Sequence, residues 1–235
     1  PNGNFPNPQG LNDAVELLRW WTLSRITLNE QHVSEAALRL SDLVWHSGEL
    51  VNGFNRTLRD VEHSAEETGD TQPFLVGDRY GDPEDFWRNL LTLTCMRDVW
   101  AAENPRGHYH FRSCYLSATE VVTADEHPTR AVDVPYNVAA AVPGHWLAWY
   151  SDLPAVRELM VRWAEAWRED ALRDDRGKPR GIVPLAVAWK TGQLGGYGPN
   201  WFTPNIGWSY YNNLGTTARM YDQLEILRMA QGLAR

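Results

Sequence analysis

The sequence predicts an all-α protein in which stacked helical hairpins form an (α/α) toroid or an incomplete arc of one. Three observations carry this expectation. Nearly every strong hydrophobic period is helical, no run of alternating apolar and polar residues marks a strand, and segments apolar on several faces alternate with segments apolar on one stripe. Helices paired in this way cannot bury both faces alone, so they stack on their neighbours. Residues 1–235 are read as a single domain with a long loop at 49–82 and an aromatic, glycine-rich loop at 189–215.

The elements follow in order. Leu11 to Leu28 is apolar around more than one face, as an inner helix would be. Val33 to Ser47 places Ala36, Ala37, Leu40, Leu43 and Val44 at helical spacing and ends before Gly48, a natural C-terminal stop. The polar, acidic loop from Glu49 to Asp82 is expected to hold one short helix near Arg59. Asp82-Pro83-Glu84-Asp85 combines a capping side chain, a first-turn proline and acids suited to the helix dipole. The helix it starts is expected to run to about Glu103, where Asn104-Pro105-Arg106-Gly107 ends it. Tyr109 to Val122 is read as another helix, and Pro135 to Tyr150 as one interrupted at Pro143-Gly144. Pro154 to Arg173 is the clearest amphipath, with Val156, Leu159, Met160, Trp163 and Trp167 on one face and Glu158 and Arg162 paired on the other. Gly181 to Val187 is read as extended, and Thr216 to Leu233 as a closing helix.

Bulk properties narrow the function. A chain of 235 residues that is 43% hydrophobic can bury a large core. Its net charge of −8 includes no basic run, which argues against a nucleic-acid partner. No apolar stretch is long enough to insert in a membrane. The opening PNGNFPNPQG has neither an initiator Met nor a signal pattern, as expected of a trimmed chain or a fragment. Cys95 and Cys114 match no zinc spacing and are read as two buried thiols, and Asn55-Arg56-Thr57 is a formal glycosylation triplet. No metal or cofactor is expected, and oligomeric state is left open.

The 27 residues from Trp189 to Gly215 hold seven aromatics, six glycines, four asparagines and one charge. Trp189, Tyr197, Trp201, Phe202, Trp208, Tyr210 and Tyr211 offer flat apolar faces, and the asparagines offer both donors and acceptors. That mixture suits a sugar ring. Trp189, Lys190, Tyr197, Trp201, Trp208 and Tyr210, with Arg79 from the glycine-flanked VGDRYGD turn, are the expected substrate-binding residues. The competing reading is that the rings pack into a core.

GKPRGIVPLAV from Gly177 to Val187, the Trp-rich loop after it, and GHYHFR from Gly107 to Arg112 carry a resemblance. The chain resembles the (α/α) toroid carbohydrate-active enzymes, the polysaccharide lyases and glycoside hydrolases, over residues 11 to 233 at the level of helix alternation and tryptophan abundance rather than of a motif. The resemblance implies a cleft at one end of a helical ring, aromatic stacking on sugars, a poly- or oligosaccharide substrate, and an extracellular or periplasmic setting. Seven expected helices make about three and a half hairpins, short of a closed ring, so a fragment or an open arc is expected.

The candidate chemistry centres on His108-Tyr109-His110-Phe111-Arg112. Removing the proton at C5 of a uronate needs a base such as His or Tyr and a cation or amide that neutralises the carboxylate. His108, His110, Arg112, Tyr211 and Asn212 are the expected catalytic residues, with Lys190 and Asn137 as further candidates to neutralise or polarise, and Tyr210 or Tyr211 to protonate the leaving oxygen. Two histidines at i and i+2 diverge on a helix, so one is expected to be structural, and no third ligand completes a metal site. Hydrolysis would need paired carboxylates, for which Asp78, Asp82, Glu120, Asp125, Glu126 and Asp133 are eligible; Asp82 and Asp133 have ordinary readings as helix caps. The expectation is polysaccharide degradation, with β-elimination ahead of hydrolysis and of glycan binding without turnover. A terpene cyclase ranks last because its acidic cluster is missing.

Overall fold

The computed structural model describes residues 31–61, 63–64, 79–198 and 201. Among them are four α-helices and nine short strands in four antiparallel sheets, so the fold is mixed α/β and the all-α toroid is corrected. The helices expected at Leu11–Leu28 and Thr216–Leu233 lie outside the described residues.

Helix α1, Gln31–Trp45, buries Ala37, Leu40, Ser41 and Val44, whereas Leu43, expected on the same stripe, is 61% exposed. The following loop contains a hairpin, β1 (Leu50–Val51) with β2 (Phe54–Asn55). Its turn residues Asn52 and Gly53 have φ of 51° and 76°, the left-handed pair that a type I′ turn requires and that Asn-Gly accepts. Arg59 itself lies in a strand, and helical residues follow directly at Val61, His63 and Ser64. Strand β3, Arg59–Asp60, pairs with a strand at Tyr115–Leu116.

Helix α2, Pro83–Cys95, begins as expected: Asp82 Oδ1 accepts from Glu84 N at 2.8 Å, and Pro83 fills the first turn. It does not reach Glu103. One π-turn, Met96–Trp100, swings the Trp100 indole fully into the core, where Nε1 donates to Ser117 O at 2.7 Å. The chain then becomes strand β4, Ala101–Glu103, and returns through Asn104–His108 as β5, Tyr109–Phe111. Asn104 Oδ1 organises that turn by accepting from the Arg106 and His108 amides at 2.9 and 3.2 Å, and Gly107 takes φ +78°.

The helix expected over Tyr109–Val122 is therefore replaced by β5 and β6 (Tyr115–Leu116). Two causes are visible. Tyr109, His110 and Phe111 are all buried, which an extended segment packed on both sides permits and one helix face does not. Ser113 and Ser117 also divert backbone amides to their side chains, Tyr115 N to Ser113 Oγ at 2.9 Å and Glu120 N to Ser117 Oγ at 3.1 Å, in competition with helical bonding.

Strands β7 (Val132–Asp133), β8 (Val187–Ala188) and β9 (Gln193–Leu194) form a sheet with β8 central. After a 3-10 turn at Pro135–Asn137 come α3, Val138–Tyr150, and α4, Pro154–Leu172. Helix α3 packs between α2 and α4, and a Cβ at Gly144 would lie 2.4 Å from Met160 Sδ and 2.7 Å from Leu93 Cδ1, so a larger residue there would have to displace both side-chain ends. Helix α4 also packs on β5. The rings of Phe54, Trp100, Phe111 and Trp163 make a continuous aromatic core between helices and strands. No helix among the described residues is long and apolar enough to cross a membrane.

Candidate functional site

Strand β5, strand β7 and helix α4 converge on a buried charge cluster. His110 lies fully buried on β5 with Nδ1 2.8 Å from Asp133 Oδ2 and Nε2 2.9 Å from Asp170 Oδ2. Its ring also meets the Trp167 indole edge-on at 5.2 Å. Burial opposes the charge on this imidazole, but its hydrogen bonds to the Asp133 and Asp170 carboxylates prevail and push its pKa up to about 9. Asp133 is held from several sides: Phe111 N donates to Oδ2 at 3.1 Å, and Asn137 Nδ2 donates to Oδ1 at 2.7 Å.

Asp170 gathers three cationic or imidazole partners. Besides His110, His108 Nδ1 approaches Oδ1 at 3.1 Å and Arg173 Nη1 donates to Oδ1 at 2.7 Å. Burial works to raise this carboxyl's pKa, yet His108, His110 and Arg173 outweigh it and hold the group well below the usual carboxylate range. Arg173 also grips Asp175 at 2.7 Å and the Gly192 carbonyl at 2.8 Å, tying the end of α4 to the β8–β9 turn.

His108 marks the passage from cluster to solvent. Its side chain is 11% exposed, and Nε2 meets Glu169 Oε2 at 2.9 Å, where Glu169 is 52% exposed. Both line an open cleft of about 390 Å³ together with Arg106, Arg168, Leu172, Arg173, Asp174 and Arg180. Arg168 is paired with Glu165 at 2.5 Å. Among the described residues the Arg106 and Arg180 guanidiniums have no carboxylate partner. Gly192 lets the Arg106 stem approach, since a Cβ there would sit 2.6 Å from Arg106 Cδ. In a chain of net charge −8, this cleft concentrates four guanidiniums against two carboxylates.

The expected site residues do not gather in one place. His108 and His110 are joined through Asp170, but Arg112 turns away, with Nε donating to Val99 O at 3.0 Å and its guanidinium 6.0 Å from the Trp189 ring centroid. Trp189 Nε1 donates to Ala102 O at 3.0 Å, and Tyr197 and Trp201 pack half-buried on the core. Lys190 pairs with Asp125 at 2.6 Å on the surface. Arg79 clamps Asp42 at 2.8 Å and Asp85 at 3.4 Å, between α1 and α2. Asn137 serves Asp133 rather than an open site. Trp208, Tyr210, Tyr211 and Asn212 lie outside the described residues, as does Asp78. Of the other eligible carboxylates, Asp82 caps α2, Glu126 bonds Thr123, and only Asp133 belongs to the cluster.

The sequence reading missed Asp170, Glu169, Arg106, Arg173 and Arg180. A signal for Asp170 was available: it continues the series Val156, Met160, Trp163, Trp167 at alternating steps of four and three, a charge where the buried stripe calls for an apolar side chain. Comparison with family models, with curated proteins and with solved structures gave no match to the chain.

Proposed function

We propose that the protein is an enzyme whose substrate carries a carboxylate, with a uronate-containing glycan as the class and β-elimination as the reaction. The observation that carries this reading is the pair of carboxylate-free guanidiniums, Arg106 and Arg180, in the same open cleft as the His108–Glu169 pair. A carboxylate seated on Arg106 and Arg180 loses the charge that otherwise resists carbanion formation at the neighbouring carbon. The His108–Glu169 pair then takes the proton from that carbon. The released electron pair forms the carbon–carbon double bond as the glycosidic C–O bond breaks, and the leaving oxygen takes a proton from water in the open cleft, while the His108–Glu169 pair later returns its own proton to solvent. This reading places the ligand on arginines rather than on the aromatic loop, because the three loop rings described are engaged with the core.

The test is incubation with a panel of uronate-containing and neutral polysaccharides, following ultraviolet absorbance of unsaturated products and new reducing ends together. The expected result is new absorbance with uronate polymers alone, and a KM raised at least ~10-fold in Arg106→Ala and Arg180→Ala with the fold intact. Reducing ends without absorbance would replace elimination by hydrolysis, and silence in both channels would overturn the enzymatic reading.

A further inference from the structure

The His–Asp cluster has the geometry of a metal centre. We infer that His108, His110 and Asp170 bind one divalent transition-metal ion at the inner wall of the cleft. One donor atom from each of the three lies within 4.8 Å of the others. His108 Nδ1 lies 3.1 Å from Asp170 Oδ1 and His110 Nε2 2.9 Å from Asp170 Oδ2, slightly inside the ~3.4 Å between ligands of a tetrahedral ion with bonds of roughly 2.1 Å, so binding needs the three side chains to part by a few tenths of an ångström.

The outer contacts point the same way. Each histidine turns its other ring nitrogen to a carboxylate, His108 Nε2 to Glu169 at 2.9 Å and His110 Nδ1 to Asp133 at 2.8 Å. That arrangement fixes the tautomer which presents the remaining nitrogen to a metal. Asp133 is itself fixed by Phe111 N and Asn137 Nδ2, and Arg173 fixes Asp170 through Oδ1, leaving Oδ2 toward His110. Asp133, Glu169, Asp170 and Asp175 against Arg173 leave a net negative surround for neutral imidazoles, which a bound divalent cation offsets. Two imidazoles and one carboxylate favour zinc or another first-row ion over magnesium or calcium, which prefer oxygen ligands alone.

Extended backbone makes the pair possible. His108 and His110 flank Tyr109 at the start of β5, and i, i+2 side chains share a face on a strand where a helix would separate them. His108 borders the cleft, which is the side from which an ion would reach the otherwise buried ligands. Metal binding here does not depend on the uronate reading, since it is measured without any glycan.

The experiment strips the full chain with a chelator and titrates it with Co²⁺, following visible d–d absorption, then displaces the cobalt with Zn²⁺. One ion per chain is expected, its spectrum abolished by zinc and unchanged by Mg²⁺. His108→Ala, at the cleft edge, is expected to weaken binding by more than ~100-fold, and Asp133→Asn, which acts through His110, by ~10- to 100-fold. His127→Ala, remote from the cluster, serves as the control that retains full affinity. Circular dichroism confirms that each variant is folded. Absence of a cobalt spectrum in folded wild-type protein, or an affinity that His108→Ala leaves unchanged, would overturn the inference.

Discussion

Two charge clusters among the described residues link separate elements, and they differ in kind. Between α1 and α2, Asp42 bridges Arg79 and Arg88 at 2.8 Å each, Arg79 also reaches Asp85, and Arg88 also reaches Glu84 while lying 5.1 Å from the Trp45 ring centroid. Between β5, β7 and α4, imidazoles are suspended between carboxylates, His110 and Asp170 entirely without solvent contact. The first cluster is all guanidinium and carboxylate, groups that keep their charge at neutral pH, and it fastens one helix to another. The second holds groups that exchange protons and ligate metals, and its outermost histidine borders an open cleft. Burial of charge is therefore a poor indicator of function by itself; the presence of imidazole at a solvent boundary separates the two cases.

The largest effect should follow from removing Asp170. Asp170→Ala takes a fully buried carboxylate from between His110, which keeps Asp133, and Arg173, which keeps Asp175, at a cost of about 3–5 kcal/mol in unfolding free energy. Denaturant titration of the metal-free protein measures it. A loss below ~1 kcal/mol would mean that the second cluster is as dispensable as a surface ion pair and would dissolve the distinction.

Stability against pH gives the next test. In the metal-free protein His110 faces Asp133 and Asp170, with Arg173 and His108 beyond them, and its pKa rises from 6.5 to about 9 on folding. The folded state therefore holds the proton more tightly than the unfolded chain. Its stabilisation is complete below pH ~6.5 and is lost as pH rises through about 9, a fall on the order of 3 kcal/mol. Unfolding curves between pH 6 and 10 should show this fall in wild type and not in His110→Gln. The first cluster contains no imidazole, so the window is not expected to move when it is altered.

Zinc should act on one cluster alone. At free zinc about 100-fold above its dissociation constant, binding to the folded state adds ~2.7 kcal/mol, and His108→Ala should remove that increment. Thermal unfolding with and without the ion reads it directly, as a rise of roughly 5–10 °C for a chain of this size.

The sequence conveyed these regions unequally, for physical reasons. Helices α2 and α4 were legible because Asp82-Pro83 is a local start signal and because α4 carries its stripe over 19 residues. The strands are two or three residues long, too short for an alternating pattern, and Tyr109–Phe111 is buried on both faces, so it has no alternation to detect. The hairpin at Leu50–Asn55 did leave a mark in its Asn52-Gly53 turn, which the polarity of the surrounding loop obscured. At the site, His108 and His110 were conspicuous as residue types, but a helical reading of Tyr109–Val122 sent them in different directions. Asp133 looked like a cap because it stands near Pro135, whereas its oxygens bond His110, Phe111 N and Asn137. Which carboxylates meet the histidines depends on β7 and α4 reaching β5 across 23 and 60 residues of chain, a relation that no local spacing encodes.

The smallest effect is expected at Asp42, and it is the one that tests the structural half of the contrast. Asp42 holds two guanidiniums, yet its own side chain is 37% exposed and each arginine retains another carboxylate, Asp85 for Arg79 and Glu84 for Arg88. Removing it leaves no cation stranded. Its contribution is that of a partly solvated pair, screened by water and offset by the entropy of fixing long side chains, so Asp42→Ala should cost ~0–1 kcal/mol. Zinc affinity and the alkaline loss of stability should both be unchanged in this variant, since no atom of the first cluster touches the second. Denaturant titration of Asp42→Ala beside Asp170→Ala measures the comparison in one experiment. Equal losses would show that the α1–α2 clamp is as indispensable as the His–Asp centre, and that the difference in exposure does not explain why one carboxylate can be removed and the other cannot.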